Sequence, residues 1–343
     1  MARQPSSFWR LARAQQAEFR KSLRPEASAA FDEQGRKHGH LLAHGYEIEN
    51  LYPEAGFPEL AQRFFHEREI RWWKSSHCGD RRDAHCSTLP TRNLASSQVC
   101  CVNFLLPLAS IPDALLVVLR CVDSDVQSIV TVTDGRGRTS TVEFEWVGWQ
   151  ASLEGGVLVR GALQTSVDAL VVARTSTGRR AYLLEWKYSE AYRSPSDKGT
   201  ETGGRTRSER YKERFENVRS SFNGTAPFDS FMFEPFYQIM RLHLLADSIV
   251  QNGVTPELQV DEASVVVVCP EANMAYRELV SRTPLARRFP GMATIQEVMR
   301  AVLKRPERFA MLSQEQIVAQ LRSARLAPEL EPWLEYHRHR YGW

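Results

Sequence analysis

The order of elements in this 343-residue chain predicts an α/β fold. Three stretches carry that expectation. Residues 167–173 and 181–186 are short apolar runs on either side of the turn Thr175-Ser176-Thr177-Gly178, the pattern of a β-hairpin. Residues 263–269 form an unbroken valine-rich run, the signature of a strand buried on both faces, as in parallel sheets. Between them, residues 235–250 place Phe236, Ile239, Met240, Leu242, Leu244, Leu245 and Ile249 on a broad helical face suited to packing on a sheet.

The remaining elements follow from local pattern. Phe8, Leu11, Ala12, Phe19 and Leu23 recur at helical spacing, and Pro25 ends that helix. Residues 26–58 show no sustained period and read as loop, with a short turn at 46–52. A helix with proline at its first position runs from Pro58 to about Trp72. Arg71-Trp72-Trp73-Lys74 is a basic aromatic cluster that could stack on a base, although packing under a loop is the commoner use of such tryptophans. Ser96 and Ser97 cap a helix through Val99, Cys100, Val102, Phe104, Leu105 and Leu108, apolar nearly all round and therefore buried. A second short helix spans 112–122. Residues 126–133 and 139–147 alternate with period two about Asp134-Gly135-Arg136-Gly137, which predicts another hairpin. A polar loop covers 193–207, a charged helix 208–221, and helices separated by Pro284, Pro290, Pro306 and Pro328 occupy the chain from Met274 onward.

Composition bounds the function. Lys and Arg number 44 against 41 acidic residues, so a net charge of +3 neither demands nor excludes a polyanionic partner. The most apolar stretch, residues 104–121, is broken by Pro107, Pro112 and Asp113 and does not read as a membrane span. The first residues are charged and lack the apolar run of a secretory signal, so a cytoplasmic location is expected. Six cysteines are too sparse for a disulfide framework. The pairs His77-Cys78 and His85-Cys86 could supply four zinc ligands, but the usual two-residue spacer is missing and a polar loop accounts for them.

The central hairpin carries the chemistry. Strand side chains alternate faces, so Glu185 and Lys187 point the same way and Trp186 the other. A turn centred between Ser176 and Thr177 sets Asp168 opposite Glu185. Two acids and one amine then meet at the rim of a sheet. An ion pair between Glu185 and Lys187, or across the hairpin, is the structural alternative.

Asp168 followed by Glu185-Trp186-Lys187 on the next strand resembles the signature of the PD-(D/E)xK nuclease superfamily. The strings LASSQVCCVNFLLPL, TSVDALVV, LLEWKYSE and YQIMRLHLLAD, in that order, are similar to those of restriction-endonuclease-like bacterial proteins. Val167 stands where the superfamily has proline. Gln98 occupies the helix where many members carry a carboxylate, and the nearest acids, Glu143 and Glu145, are on a strand. The resemblance implies a restriction-endonuclease-like core, a central mixed sheet flanked by helices, over residues 96–273. An N-terminal helix and loop region (1–95) precedes it, and a C-terminal helical region (274–343) packs on it.

It further implies a metal-dependent nuclease acting on DNA, most naturally an endonuclease. Asp168, Glu185 and the Trp186 carbonyl would hold Mg2+, or Mn2+ in its place, because such ions prefer oxygen ligands. Lys187, a poor base at an ordinary lysine pKa of about 10.4, would position water and stabilise charge. Gln98, Glu145, Glu190, Gln238 and Arg241 form a second tier around this site, with Arg241 equally able to pair with Glu190. Arg193, Lys198, Arg205 and Arg207 are candidate nucleic-acid contacts, and a homodimer is compatible with the fold. The competing expectation is a non-catalytic nucleic-acid-binding or assembly protein that keeps the nuclease fold.

Overall fold

The computed structural model describes residues 7–28, 38–73, 86–134, 137–148, 152–154, 164–190, 197–200, 204–252, 258–324, 326 and 328–343. Its strands are β1 (Trp72–Trp73), β2 (Cys86–Ser87), β3 (Ser128–Val130), β4 (Val132–Thr133), β5 (Thr139–Ser140), β6 (Glu143–Trp146), β7 (Val167–Thr175), β8 (Gly178–Trp186), β9 (Glu262–Val268) and β10 (Phe309–Leu312). The helices are α1 (Ser7–Lys21), α2 (Phe57–Glu67), α3 (Ser97–Leu108), α4 (Pro112–Arg120), α5 (Gly204–Glu216), α6 (Phe236–Asn252), α7 (Met274–Arg277), α8 (Pro284–Arg288), α9 (Ile295–Val302), α10 (Gln314–Ser323) and α11 (Glu331–Tyr341).

One mixed sheet of six strands organises the chain, in the order β10-β9-β8-β7-β3 with β6 also on β7. β7 and β8 are antiparallel, β8 and β9 parallel, and β9 and β10 parallel. The valines of β9 are buried on both faces, as the unbroken apolar run predicts, and each such side chain contributes about 1.5–3 kcal/mol relative to exposure. Two apolar layers cover the sheet. Tyr182, Leu184 and Trp186 of β8 pack with α3, α4, α10 and α11, while Ala181 and Leu183 pack with α6 and α9. This is the restriction-endonuclease-like α/β arrangement expected from the sequence.

Several elements differ from expectation. The helix beginning near Pro58 ends at Glu67, and Trp72 lies buried in β1, stacked on Phe65 with ring centroids 3.8 Å apart. The hairpin expected over 126–147 forms only at its tip, where β4 pairs with β5. Its arms instead share one side of β7, with β3 beside Val172–Arg174 and β6 beside Val167–Leu170. A nine-residue strand left half-bare would leave main-chain donors and acceptors unpaired, so both arms pair with it. The helical reading of the C-terminal region omits β10, whose four residues FAML are too few to show a period. His337 and Arg340 of α11 are completely buried, while Arg338 and His339 between them are exposed, so α11 packs on the core with one face and turns its other basic residues to solvent. Of the possible zinc ligands, His77, Cys78 and His85 lie outside the described residues.

Candidate active site

The register of the β7–β8 hairpin is pinned at its turn. Gly178 has φ 130°, and a Cβ there would meet the Asp261 carboxylate at 2.2 Å, so glycine is required. Asp261 accepts the N–H of Arg179 at 2.8 Å, and Asp125 accepts both the N–H and hydroxyl of Ser176 at 3.0 and 2.6 Å. Thr175 pairs with Gly178 and the ladder continues to Ala169–Leu184, which places Asp168 opposite Glu185 on the next rung.

At that rung the ladder changes partners. The N–H of Trp186 donates to the Asp168 carboxylate Oδ2 at 2.7 Å rather than to a carbonyl. Glu185 is 1% exposed. Its Oε1 receives the Lys187 ammonium at 2.6 Å and the side-chain amide of Gln238, from the first turns of α6, also at 2.6 Å. Its Oε2 is buried without a partner. The main chain of Lys187 is held on two sides: its N–H donates to Val268 O at 2.8 Å, and Gln314 at the start of α10 donates to its carbonyl at 2.9 Å.

Asp168 keeps some contact with solvent, but protein surrounds it. Desolvation, then the charge of Glu185, raises its carboxyl well above the ordinary range, with Glu145 adding and Lys187 opposing. Glu145 lies between the pairs Phe144–Ala169 and Trp146–Val167 and so comes alongside Asp168 from the other strand. The charges of Glu145 on β6 and Glu185 on β8 thus both reach Asp168 on β7. Glu145 has φ 46°, a left-handed conformation that costs a non-glycine residue about 1–2 kcal/mol. Phe144 and Trp146 on either side of it accordingly go to different apolar layers. The Glu145 carboxylate is buried and accepts from Gln98 Nε2 at 2.8 Å and the Trp73 indole at 3.1 Å, both at Oε1, and from Ser166 at 3.4 Å at Oε2. Gln98 in turn accepts the N–H of Trp73 at 2.8 Å. Gln98 therefore acts as a clamp on Glu145 and β1.

The other second-tier residues separate. Gln238 reaches Glu185. Glu190 is engaged in its own turn, accepting from Ser97 at 2.5 Å and from the N–H of Tyr188 at 2.9 Å. Arg241 does not pair with Glu190: its Nε donates to Thr165 at 2.9 Å, and its guanidinium lies 3.8 Å from Glu154, which also accepts from Thr165 and Tyr211. That cluster ties the entrance of β7 to α6 and α5. Arg205 is exposed and pairs with Glu209, Arg207 donates to the Lys198 carbonyl at 2.9 Å, and Lys198 stands 4.0 Å from Glu234. Arg193 lies outside the described residues. Sequence reasoning missed Ser166, which immediately precedes β7, and Glu154, Glu234 and Gln314, which come from other elements with no local motif to mark them. Among the described residues, no group of three or more His, Cys, Asp or Glu side chains is arranged to hold a metal ion.

Fold and site together define a mixed-sheet protein of restriction-endonuclease-like architecture, with its acids and lysine gathered at one end of the sheet. The chain belongs to the family described as restriction endonuclease associating with ARP, whose model matches residues 24–342. No curated protein and no solved structure matches it. Among the described residues, no helix is long and apolar enough to cross a membrane.

Proposed function

We propose that this chain is a metal-dependent nuclease of the PD-(D/E)xK type that hydrolyses phosphodiester bonds in DNA. The observation that carries the reading is the hairpin register, which sets Asp168 and Glu185 on the rung after Ala169–Leu184, with Lys187 against the second acid. Membership of a restriction-endonuclease family supports a nuclease-like role at the coarse level.

The donor set fits a hard cation such as Mg2+ or Mn2+. Both donors of Glu185 Oε1 are protein groups, which leaves the partnerless Oε2 for an ion. In extended backbone the N–H and C=O of one residue share an edge, so the Trp186 carbonyl lies on the Asp168 side, as its N–H does. Asp168, Glu185 and that carbonyl would hold the ion, with solvent completing its shell. A bound divalent cation supplies Lewis-acid polarisation of the phosphate and lowers the pKa of water near it. Burial and, after it, repulsion from Glu185 raise Asp168, and the repulsion is the part such a charge would relieve.

The chain's own residues do the rest. Trp186 N–H fixes the orientation of Asp168, and Gln238 fixes that of Glu185. Lys187 places a positive charge where negative charge builds on the phosphate and directs the attacking water. Glu145, clamped by Gln98 and Trp73, keeps Asp168 in a negative field that favours cation uptake. The family description names ARP as an associate, and we extend that association to this chain as a further partner.

The competing reading, a non-catalytic DNA-binding or assembly protein, draws on the close Glu185–Lys187 pair, which a purely structural site would also contain. Incubation with supercoiled plasmid, linear duplex and single-stranded DNA, with and without magnesium, separates the two. The nuclease reading expects cation-dependent nicking or linearisation; binding without cleavage of any substrate supports the competitor.

A further inference from the structure

Glu234, just before α6, is a carboxylate near the site that none of the roles above uses. Its side chain is only 14% exposed, and its Oε2 is buried without a partner. Its surroundings are cationic. Lys198 stands 4.0 Å from Oε1, beyond hydrogen-bond distance, and the charges of Lys187 and Arg241 also reach it. Glu234 therefore stands 4.0 Å from a lysine of a separate loop and four residues before Gln238, whose amide shares Glu185 Oε1 with Lys187.

The loop holds Lys198 in place. Its N–H donates to Met232 O at 2.7 Å, and Asp197 forms a bridge to Phe233. The Asp197 carboxylate accepts from the N–H groups of Gly199 and Thr200 at 2.9 and 3.3 Å. Arg207 of α5 donates to the Lys198 carbonyl at 2.9 Å, and at Gly204 a Cβ would fall 1.9 Å from Gly199 O, so the start of α5 seats directly on this turn. Main-chain bonds to residues 232–233 thus set the position of Lys198, while its side chain remains 21% exposed.

We propose that Lys198 and Lys187 form a two-point clamp on a DNA backbone, Lys187 at the scissile phosphate and Lys198 at a neighbouring one, with Glu234 holding the place of that neighbouring phosphate until DNA arrives. The inference rests on the nuclease reading and adds a substrate subsite to it. A phosphate oxygen approaching Lys198 gains a charge-assisted hydrogen bond that the 4.0 Å contact with Glu234 does not provide. Glu234 opposes DNA binding by its own charge and by competing for Lys198. Arg205, exposed and paired with Glu209, takes no part.

The test is equilibrium binding of a short fluorescein-labelled DNA duplex, read by anisotropy across a salt titration, with calcium replacing magnesium and probe integrity checked on gels. Lys198→Ala is expected to weaken binding roughly tenfold near about 0.1 M salt and to lower the salt slope by about one. Glu234→Gln is expected to strengthen binding, and that gain should shrink in the K198A/E234Q double variant because it acts partly through Lys198. Thermal melts confirm that each variant is folded. Unchanged affinity and slope in K198A overturn the clamp, as does a Glu234→Gln gain that is the same with and without Lys198. Cleavage by the parent together with an unaffected K198A refutes the clamp and leaves the nuclease reading standing. Weakened binding in K198A with no cleavage by any form does the reverse, and a parent that binds no duplex overturns both.

Discussion

The register that pairs Ala169 with Leu184 sets Asp168 and Glu185 on the next rung of the hairpin, and Asp168 is tied to the strand of its neighbour by the Trp186 N–H at 2.7 Å. The backbone of β8 thereby fixes the Asp168 carboxylate, while Lys187 and Gln238 fix that of Glu185. Their repulsion is built into the fold, and the predictions below turn on what relieves it.

The first concerns pH. Burial and the neighbouring Glu185 raise the Asp168 carboxyl well above its ordinary range. Without metal, the folded chain keeps this proton at pH values where the unfolded chain, near about 3.9, has lost it. The proton-linked term favours folding most at low pH and is lost as pH rises toward the raised folded value. Asp168→Asn removes the term. In metal-free buffer, the melting temperature of the variant relative to the parent should climb from about pH 4 upward and level off above the folded pKa. A difference independent of pH would show that Asp168 titrates normally.

The second concerns Lys187. Lys187→Ala should abolish cleavage and leave the secondary structure intact, yet lower stability, because it leaves the buried Glu185 carboxylate with Gln238 as its remaining described donor. Removing one partner of a buried pair costs on the order of 3–5 kcal/mol. The double variant E185Q/K187M should recover much of that loss by denaturant melting and remain inactive. Recovery of cleavage in the double variant would place the chemistry elsewhere.

The third concerns the clamp on Glu145. Gln98→Ala removes the amide that donates to Glu145 and the oxygen that accepts from Trp73. A loss of about 1–3 kcal/mol is expected, since it leaves a buried acceptor short of a donor. Amide exchange at Trp73 should quicken more than exchange in β7 and β8. Uniform acceleration throughout would mean that Gln98 serves global stability alone.

Much of this was legible in the sequence where the cause is local. The turn position alone put Asp168 opposite Glu185, the Ser96 cap marked the start of α3, and the valine run marked β9. What escaped depends on distant partners. Whether residues 128–130 and 143–146 pair with each other or with β7 is decided by the free edge of β7, which no local period reveals. Arg241 had Glu190 as its expected structural partner, and the packing of α6 on the entrance of β7 selects Glu154 instead. Arg340 reads as a surface cation, yet Gln16, Asn50, Leu94 and Tyr336 satisfy its guanidinium inside the core.

The most direct measurement is thermal melting of parent and Asp168→Asn protein through a magnesium titration at constant ionic strength. Stabilisation by a ligand of the folded state follows RT ln(1 + [L]/Kd), about 2.7 kcal/mol when the free ion is about a hundredfold above Kd. The parent should rise along that curve, and Asp168→Asn, starting no lower than the metal-free parent, should stay nearly flat. A variant that responds to magnesium as strongly as the parent would contradict the assignment of Asp168 as a metal ligand and with it the proposed site.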